Sequence, residues 1–295
     1  MSSRYDSFSY KVFTLLNYAL LGALAIICVL PLLHILAVSF SDKAPADARL
    51  VGLWPVDFTT DAYEKTFGNQ NFIRSFFTSI TRTALGTITT MALITMAAYA
   101  LSKEKHEFKG RNVYAWLFVF TMLFHGGLIP SYIIVQKTGL MNSVWALIIP
   151  GAVKIFNMIL LLNFFRTSVP KALEEAAYID GAGHLRTLFS VYIPLAVPSI
   201  ATVSLFNIVG HWNEWFHGLI YMTKPENYPL STLLQTIVVQ ADLSQMSLDA
   251  SDLEELSNRT VKASQIFIAT LPILAIYPLL QRYFVKGIVL GSVKQ

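Results

Sequence analysis

The chain is short of charge and nearly empty of cysteine. Only 14% of its 295 residues are Asp, Glu, Lys or Arg, against about a quarter in an ordinary soluble domain, too few to cover a water-facing surface. A single cysteine, Cys28, excludes an internal disulfide framework and any cysteine metal site. No glycine is followed by lysine, which removes every phosphate-cradling G-x-x-x-x-G-K-[ST] loop. The six histidines are scattered, without H-E-x-x-H, and G-x-S-x-G is missing as well. No nucleophile, base or metal constellation can be assembled, so the chain is expected to be neither an enzyme nor the holder of a cofactor.

What is present in excess is apolar surface: 54% hydrophobic residues and a mean hydropathy of +0.53. In hydrocarbon each backbone polar group must be satisfied within its own segment. The expected fold is therefore an all-α polytopic membrane protein. A span needs about 20 apolar residues, and six such segments can be marked: Leu15 to Ser39, Phe77 to Leu101, Val113 to Ile134, Val144 to Phe165, Leu195 to Tyr221 and Ser264 to Phe284. The first apolar stretch, Phe13 to Phe40, is too long for a signal-peptide core of roughly 7 to 15 residues and is read as a retained span. Pro31, Pro130, Pro150 and Pro272 fall inside spans, where kinks are expected rather than breaks. No repeat or low-complexity tract is visible, and residues 1–295 read as one transmembrane domain.

The pI of about 9.0 and formal charge of +4 do not point to nucleic acid, because the cations sit at the ends of apolar runs. They read as topology signals. Lys103, Lys105, Lys109 and Arg111 fill one short loop, Arg166, Lys171 and Arg186 another, and Arg282, Lys286 and Lys294 the C-terminal end. With Arg4 and Lys11 they fall on one side of six spans. That side is expected to be cytoplasmic, with both termini inside. Residues 42–71, a turn at Lys137 and the acidic segment 223–262 then face outward. Within the last, "NYPLSTLLQTIVVQ" has helical apolar spacing, and Asn258, Arg259 and Thr260 match a glycosylation acceptor, a pattern common by chance.

The inward loop, about residues 166–194, contains "EEAAYIDGAGHLRTLFSVYIP". Ser168, Pro170, Glu174 and Glu175 suit a helix start, with a capping hydroxyl, a preset φ and acids at the positive end of the dipole. The helix is expected to run through Tyr178 and stop near Gly181 and Gly183, with a second from Leu185 to Pro194. Ala176, Ala177, Gly181, Ala182 and Gly183 leave little bulk, so another backbone can approach. A helix lying in lipid would carry large apolar residues on one face instead. The loop is expected to pack either on a protein partner or on its own bundle.

Glu175, Ala176, Ala177, Asp180, Gly181, Ala182 and Pro194 resemble the EAA loop of ABC importer permeases, with Leu188 in place of the usual Phe and Ile193 in place of Leu. "AYALSK", "GHWNEW" and "YFVKGIVLGSVKQ" are similar to maltose-type carbohydrate permeases. "NYPLSTLLQTIVVQ" and "ELSNRTVKASQIFIATLPILAIYPLLQRYFVKGIVLGSVKQ" look like the branch handling complex oligosaccharides, including pectin-derived and alginate-like uronic acid polymers. The resemblance implies a six-helix type I importer permease fold in a bacterial plasma membrane. It implies as partners a second permease chain, two ATPase subunits that hold ATP and Mg, and an extracytoplasmic sugar-binding protein. It makes the first EAA helix a coupling helix docked on an ATPase, with Glu175 and Asp180 in polar contacts or caps, Ala176, Ala177, Gly181 and Ala182 permitting the docking, and Leu188 and Pro194 belonging to the same coupling set. A rival from another class is a secondary transporter driven by an ion gradient through Lys154 and Glu214.

Lys154 stands near the middle of the fourth span, where an unpaired cation costs roughly 2.5 to 3.5 kcal/mol. It needs an anionic sugar or a structural partner. Asn157, one turn on, shares its face. His211, Trp212, Asn213, Glu214 and Trp215 combine indoles with polar groups in the outer half of the fifth span. They suit either an oligosaccharide path or an interfacial aromatic belt with Glu214 bonded to a neighbouring helix. Arg82 reads as a snorkelling cation, and His125 as a core histidine at a kink.

Overall fold

Backbone groups without water close on themselves, and the chain is accordingly a succession of helices. The computed structural model describes residues 8–244 and 258–292. Arg4, Lys294 and residues 245–257 of the expected outer segment lie outside the described residues, as do the side chains of Arg282 and Lys286. The elements are α1 (Phe8–Ser39), α2 (Lys43–Asp47), α3 (Asp61–Gly68), α4 (Gln70–Ser102), α5 (Arg111–Leu123), α6 (Leu128–Lys137), α7 (Val144–Ile148), α8 (Ile155–Ser168), α9 (Lys171–Ile179), α10 (His184–Thr187), α11 (Ile193–Leu195), α12 (Val197–Asn213), α13 (Phe216–Tyr221), α14 (Leu230–Ser244) and α15 (Arg259–Ser292).

Among the described residues, three stretches are long and apolar enough to cross a bilayer alone: α1, α4 and Arg259–Pro278 of α15. Three bent pairs bring the number to six if each counts as one span. These are α5 with α6 at 114°, Val144–Gly151 with α8 at 55°, and His184–Leu195 with α12 at 87°. Two sequence expectations change here. The third span is no straight rod, because the helix stops at Leu123 and restarts after Gly127, whose φ of 92° is open to glycine. The fifth ends at Asn213 rather than Tyr221, with α13 separate. Pro150 lies in the short turn Ile149–Gly151 just before the break in the fourth span, whereas Pro31 and Pro272 are carried inside continuous helices. The bend before α12 follows a π turn at Leu188–Tyr192, a local excess of one residue that re-aims a helix.

Two compact units can be described separately: Met1–Gln70 with Thr236–Thr270, and Asn71–Gln235 with Leu271–Gln295. In the first, Ala37, Val38, Ala46, Val51 and Ala263 form a small core. Beside it the Thr66 and Ser264 hydroxyls meet at 2.6 Å. Asn258 is buried and accepts from Thr260 Oγ1 at 2.7 Å and from the Val261 amide at 3.3 Å. The acceptor-like triplet thus serves as a helix cap. The rest of α1 is apolar all round and exposed, with Leu15, Leu16 and Ile27 among its uncovered residues, as a lipid-facing helix should be.

In the second unit α4 buries one continuous face. Ser75, Ser79, Arg82, Thr83 and Thr90 form its polar half, and Ile94, Ala98, Tyr99 and Leu101 its apolar half. The 3–4 spacing keeps all of them on one side. The apolar half packs with Met158, Leu161 and Phe165 of α8 and with Leu188, Tyr192 and Val203 in one core. The polar half receives α14, whose Leu230 amide donates to Ser79 Oγ at 2.7 Å. The helix expected within "NYPLSTLLQTIVVQ" is thus present, with Leu230 and Thr232 of its first turn buried.

Candidate functional site

The inward loop folds as two helices joined by a turn. Its first helix, α9, begins two residues later than the capping pattern suggested. Ser168 closes α8, and Pro170, with extended backbone, takes the N-cap position. Asp180 occupies the C-cap, its amide donating to Ala176 O at 2.9 Å, and Gly181 follows at φ 77° with its amide 3.0 Å from Tyr178 O. That left-handed step is the usual helix terminator and favours glycine. The second helix starts at His184 and not at Leu185.

On α9 and its turn, Glu175, Ala176, Asp180 and Gly181 are exposed and Ala177 and Ala182 half-buried, whereas Leu188 is buried in the core and Pro194 exposed. The loop therefore presents small residues outward while its far end is anchored inward. The anchor is a residue that motif matching passed over. Glu174 is only 8% exposed. Its carboxylate pairs with Lys103, just beyond α4, and accepts from the Tyr178 hydroxyl at 2.9 Å and the Tyr192 hydroxyl at 2.6 Å. Lys103 Nζ lies over the Tyr99 ring at 3.9 Å and the Tyr192 ring at 4.5 Å from the centroids, where ring quadrupoles attract a cation. His184 Nδ1 closes the group, 3.1 Å from the Tyr178 hydroxyl. Burial pushes the Lys103 ammonium down to about 8, against the pull of the Glu107 carboxylate, and burial pushes the Tyr178 hydroxyl up. The sequence signal for the anchor was the i, i+4 pair Glu174 and Tyr178, which puts an acid on the same face as an aromatic.

A second charged group lies toward the other end of α4. Arg82 does not snorkel: it is 1% exposed, donates from Nη1 to the Glu214 carbonyl at 2.6 Å and pairs through Nη2 with the Glu214 carboxylate. Glu214 also accepts the His217 amide at 2.8 Å, and its carbonyl takes the Ser231 hydroxyl at 2.8 Å. The end of α12 is thereby fixed to α4 and α14.

The five residues His211 to Trp215 do not form one surface. His211 is buried with its ring against Gly86, where an added Cβ would stand 2.8 Å from the imidazole, and its Nε2 is 3.4 Å from Thr90 Oγ1. Trp212 is buried edge-on to Phe76, Asn213 is exposed, and Trp215 is 37% exposed with its ring edge on Phe216. Asn157 donates to Asn207 Oδ1 at 3.0 Å, tying α8 to α12. Its amide is thus already engaged. Lys154, at the N-cap of α8, is half-buried with its ammonium against Gly210, and makes no side-chain hydrogen bond or ion pair among the described residues. His125 is exposed at the α5–α6 break rather than in a core. Near the Arg74 end of α4 a cleft of about 420 Å³ is lined by Arg74, Phe77, Thr78, Thr81, Asn142 and Asn227, among others.

Residues 109–290, which include the whole inward loop, match the family described as the binding-protein-dependent transport system inner membrane component. The chain belongs to this family. The permease is 39% identical over 289 residues to a polygalacturonan/rhamnogalacturonan transport system permease of Bacillus subtilis (strain 168), covering 96% of this chain and 99% of the relative. It is 28% identical over 288 residues to a galactooligosaccharides transport system permease of the same organism, covering 95% of each. Among solved structures it is similar to a chain of a bacterial ABC transporter involved in import of the acidic polysaccharide alginate. There the TM-score is 0.84 and the identity 32%, covering 94% of this chain and 98% of that one. Family membership makes the permease an integral membrane component of an ABC importer and sets aside the ion-gradient rival.

Proposed function

We propose that this permease moves acidic, uronate-containing oligosaccharides inward across a bacterial plasma membrane, with residues 1–295 acting as one transmembrane domain. The observation that carries the reading is the form of the inward loop: a short helix with Glu175, Ala176 and Gly181 outward, held from behind by the buried Glu174. Such a helix suits docking in a groove of an ATPase subunit. Two such subunits would bind ATP and Mg, and a second permease chain and an extracytoplasmic binding protein would complete the importer, with both termini inside. ATP binding can change the permease only by interacting more favourably with one of its conformations than with the other.

Support for an acidic sugar comes from two sources. The relatives at 39% and 32% identity are described by polygalacturonan/rhamnogalacturonan and alginate, and Lys154 makes no side-chain hydrogen bond or ion pair among the described residues. A carboxylate of the passing sugar would supply one, with Trp215 at the exposed end of α12 as a stacking surface.

Co-purification with the ATPase subunits tests the docking. Glu175→Lys and Gly181→Trp should lose the ATPases while the folded membrane chain is retained, and undiminished recovery would move the contact elsewhere. Stimulation of ATP hydrolysis by binding protein loaded with oligogalacturonate, compared with a neutral maltodextrin, tests the substrate class. Lys154→Met should abolish the response to the acidic sugar, and an unchanged response would remove Lys154 from the path.

A further inference from the structure

We infer that Glu174 and Lys103 are positioning residues that link the coupling helix to the far end of α4. The inference rests on the docking of α9 proposed above and adds the route by which that docking acts.

Glu174 is buried where Glu175 and Ala176 beside it are exposed, and its partners come from three places: Lys103 after α4, Tyr178 on α9 itself and Tyr192 in the π turn. A buried carboxylate held this way resists slipping, because any displacement that separates it from Lys103 leaves two uncompensated charges out of water. Lys103 is further confined between the Tyr99 and Tyr192 rings and within 3.3 Å of the Tyr192 hydroxyl. A push on α9 is therefore delivered to the end of α4.

Helix α4 is suited to carry it. It runs unbroken from Gln70 to Ser102 with no internal proline, whereas three other helix pairs bend by 55° to 114°. From Lys103 back to Arg82 is 21 residues, about 31 Å at 1.5 Å per residue, close to the ~30 Å of a hydrocarbon core. At that distance Arg82 grips the end of α12 through Glu214. The two ion pairs, Lys103 with Glu174 and Arg82 with Glu214, thus stand about 31 Å apart along one unbroken helix. One turn before the end of α12 lies Gly210, against which the Lys154 ammonium rests. A shift of α4 relayed through Glu214 would alter the surroundings of that cation.

The test uses the assembled importer in proteoliposomes. Thr78→Cys in a Cys28→Ser background puts a thiol in the cleft near the Arg74 end of α4, and its reaction rate with a membrane-impermeant maleimide is compared with and without ATP and vanadate. The parent should show an ATP-dependent rate. In Glu174→Gln the ratio should collapse to unity while the ATPase subunits still co-purify. The charge-exchanged pair Lys103→Glu with Glu174→Lys should recover part of the ratio, which loss of local packing alone would not predict. A parental ratio of unity, or a Glu174→Gln ratio equal to the parent's, would overturn the inference while leaving the docking intact. Failure of the native chain to retain its ATPases would overturn both. If Glu174→Gln does not assemble, the charge-exchanged pair decides: assembly with a recovered ratio supports the relay, and assembly without it, or no assembly, counts against it.

Discussion

Lys103 and Glu174, 71 residues apart in the chain, form a buried ion pair that ties the end of α4 to α9. Their side chains are 5% and 11% exposed, so both charged groups are held largely out of water.

Removing one partner should be costly. Lys103→Met leaves the Glu174 carboxylate buried with only the two tyrosine hydroxyls, and breaking a buried pair from one side typically costs about 3–5 kcal/mol. The double change Lys103→Met with Glu174→Leu should cost much less, because no charge remains to be desolvated. Thermal melting in detergent measures both; equal losses for the single and double variants would contradict the pair as described.

The same pair gives a pH dependence. Facing Lys103 are Glu174 and Tyr178 of α9, Tyr99 of α4, Tyr192, His184 and, farther off, Glu107. Burial lowers its ammonium from 10.5 to about 8, so the folded protein loses this proton as pH rises through about 8 while the unfolded chain keeps it to about 10.5. In that window the unfolded state binds more protons, and this group's contribution to stability rises with pH even as the ion pair is lost. ATP-driven uptake should therefore fall as pH rises through about 8 without a matching fall in melting temperature. Lys103→Arg, which does not titrate there, should keep uptake flat. Identical profiles for Lys and Arg would assign the pH effect to another group.

Arg82 holds Glu214 through its backbone carbonyl and its carboxylate together. Arg82→Lys should keep the charge and lose the fork, since one ammonium cannot reproduce the planar pair of donors. Arg82→Met should be the more destabilising, again by about 3–5 kcal/mol. Melting temperatures in the order native, Lys, Met are expected, and Arg82→Lys indistinguishable from native would show that the geometry is unimportant.

Gly86 lies flat against the His211 ring. Gly86→Ala would place a methyl 2.8 Å from the imidazole, and overpacking of this kind costs about 1–3 kcal/mol. A second change, His211→Ser, opens the space, so the double variant should melt above Gly86→Ala alone. Failure of that rescue would show that α4 and α12 are held apart by other contacts.

Composition and spacing alone determined that this chain is a membrane bundle and where most spans lie, because apolar runs of the right length admit no other solution in lipid. The loop from Glu174 to Pro194 was equally legible, since small residues, a left-handed glycine and paired acids are local signals. What the sequence could not show was which acid is inward: Glu174 and Glu175 are adjacent and chemically alike, and only the path of α9 over the end of α4 buries one and exposes the other. Nor could it match Arg82 to Glu214 across 132 residues, and it left Arg82 as a snorkelling side chain and the five residues from His211 as one group. The end of α12 at Asn213 divided that group and shortened the fifth span, and the break before Gly127 changed the third. Pairings of this kind depend on helix packing over long sequence separations, which no local pattern encodes.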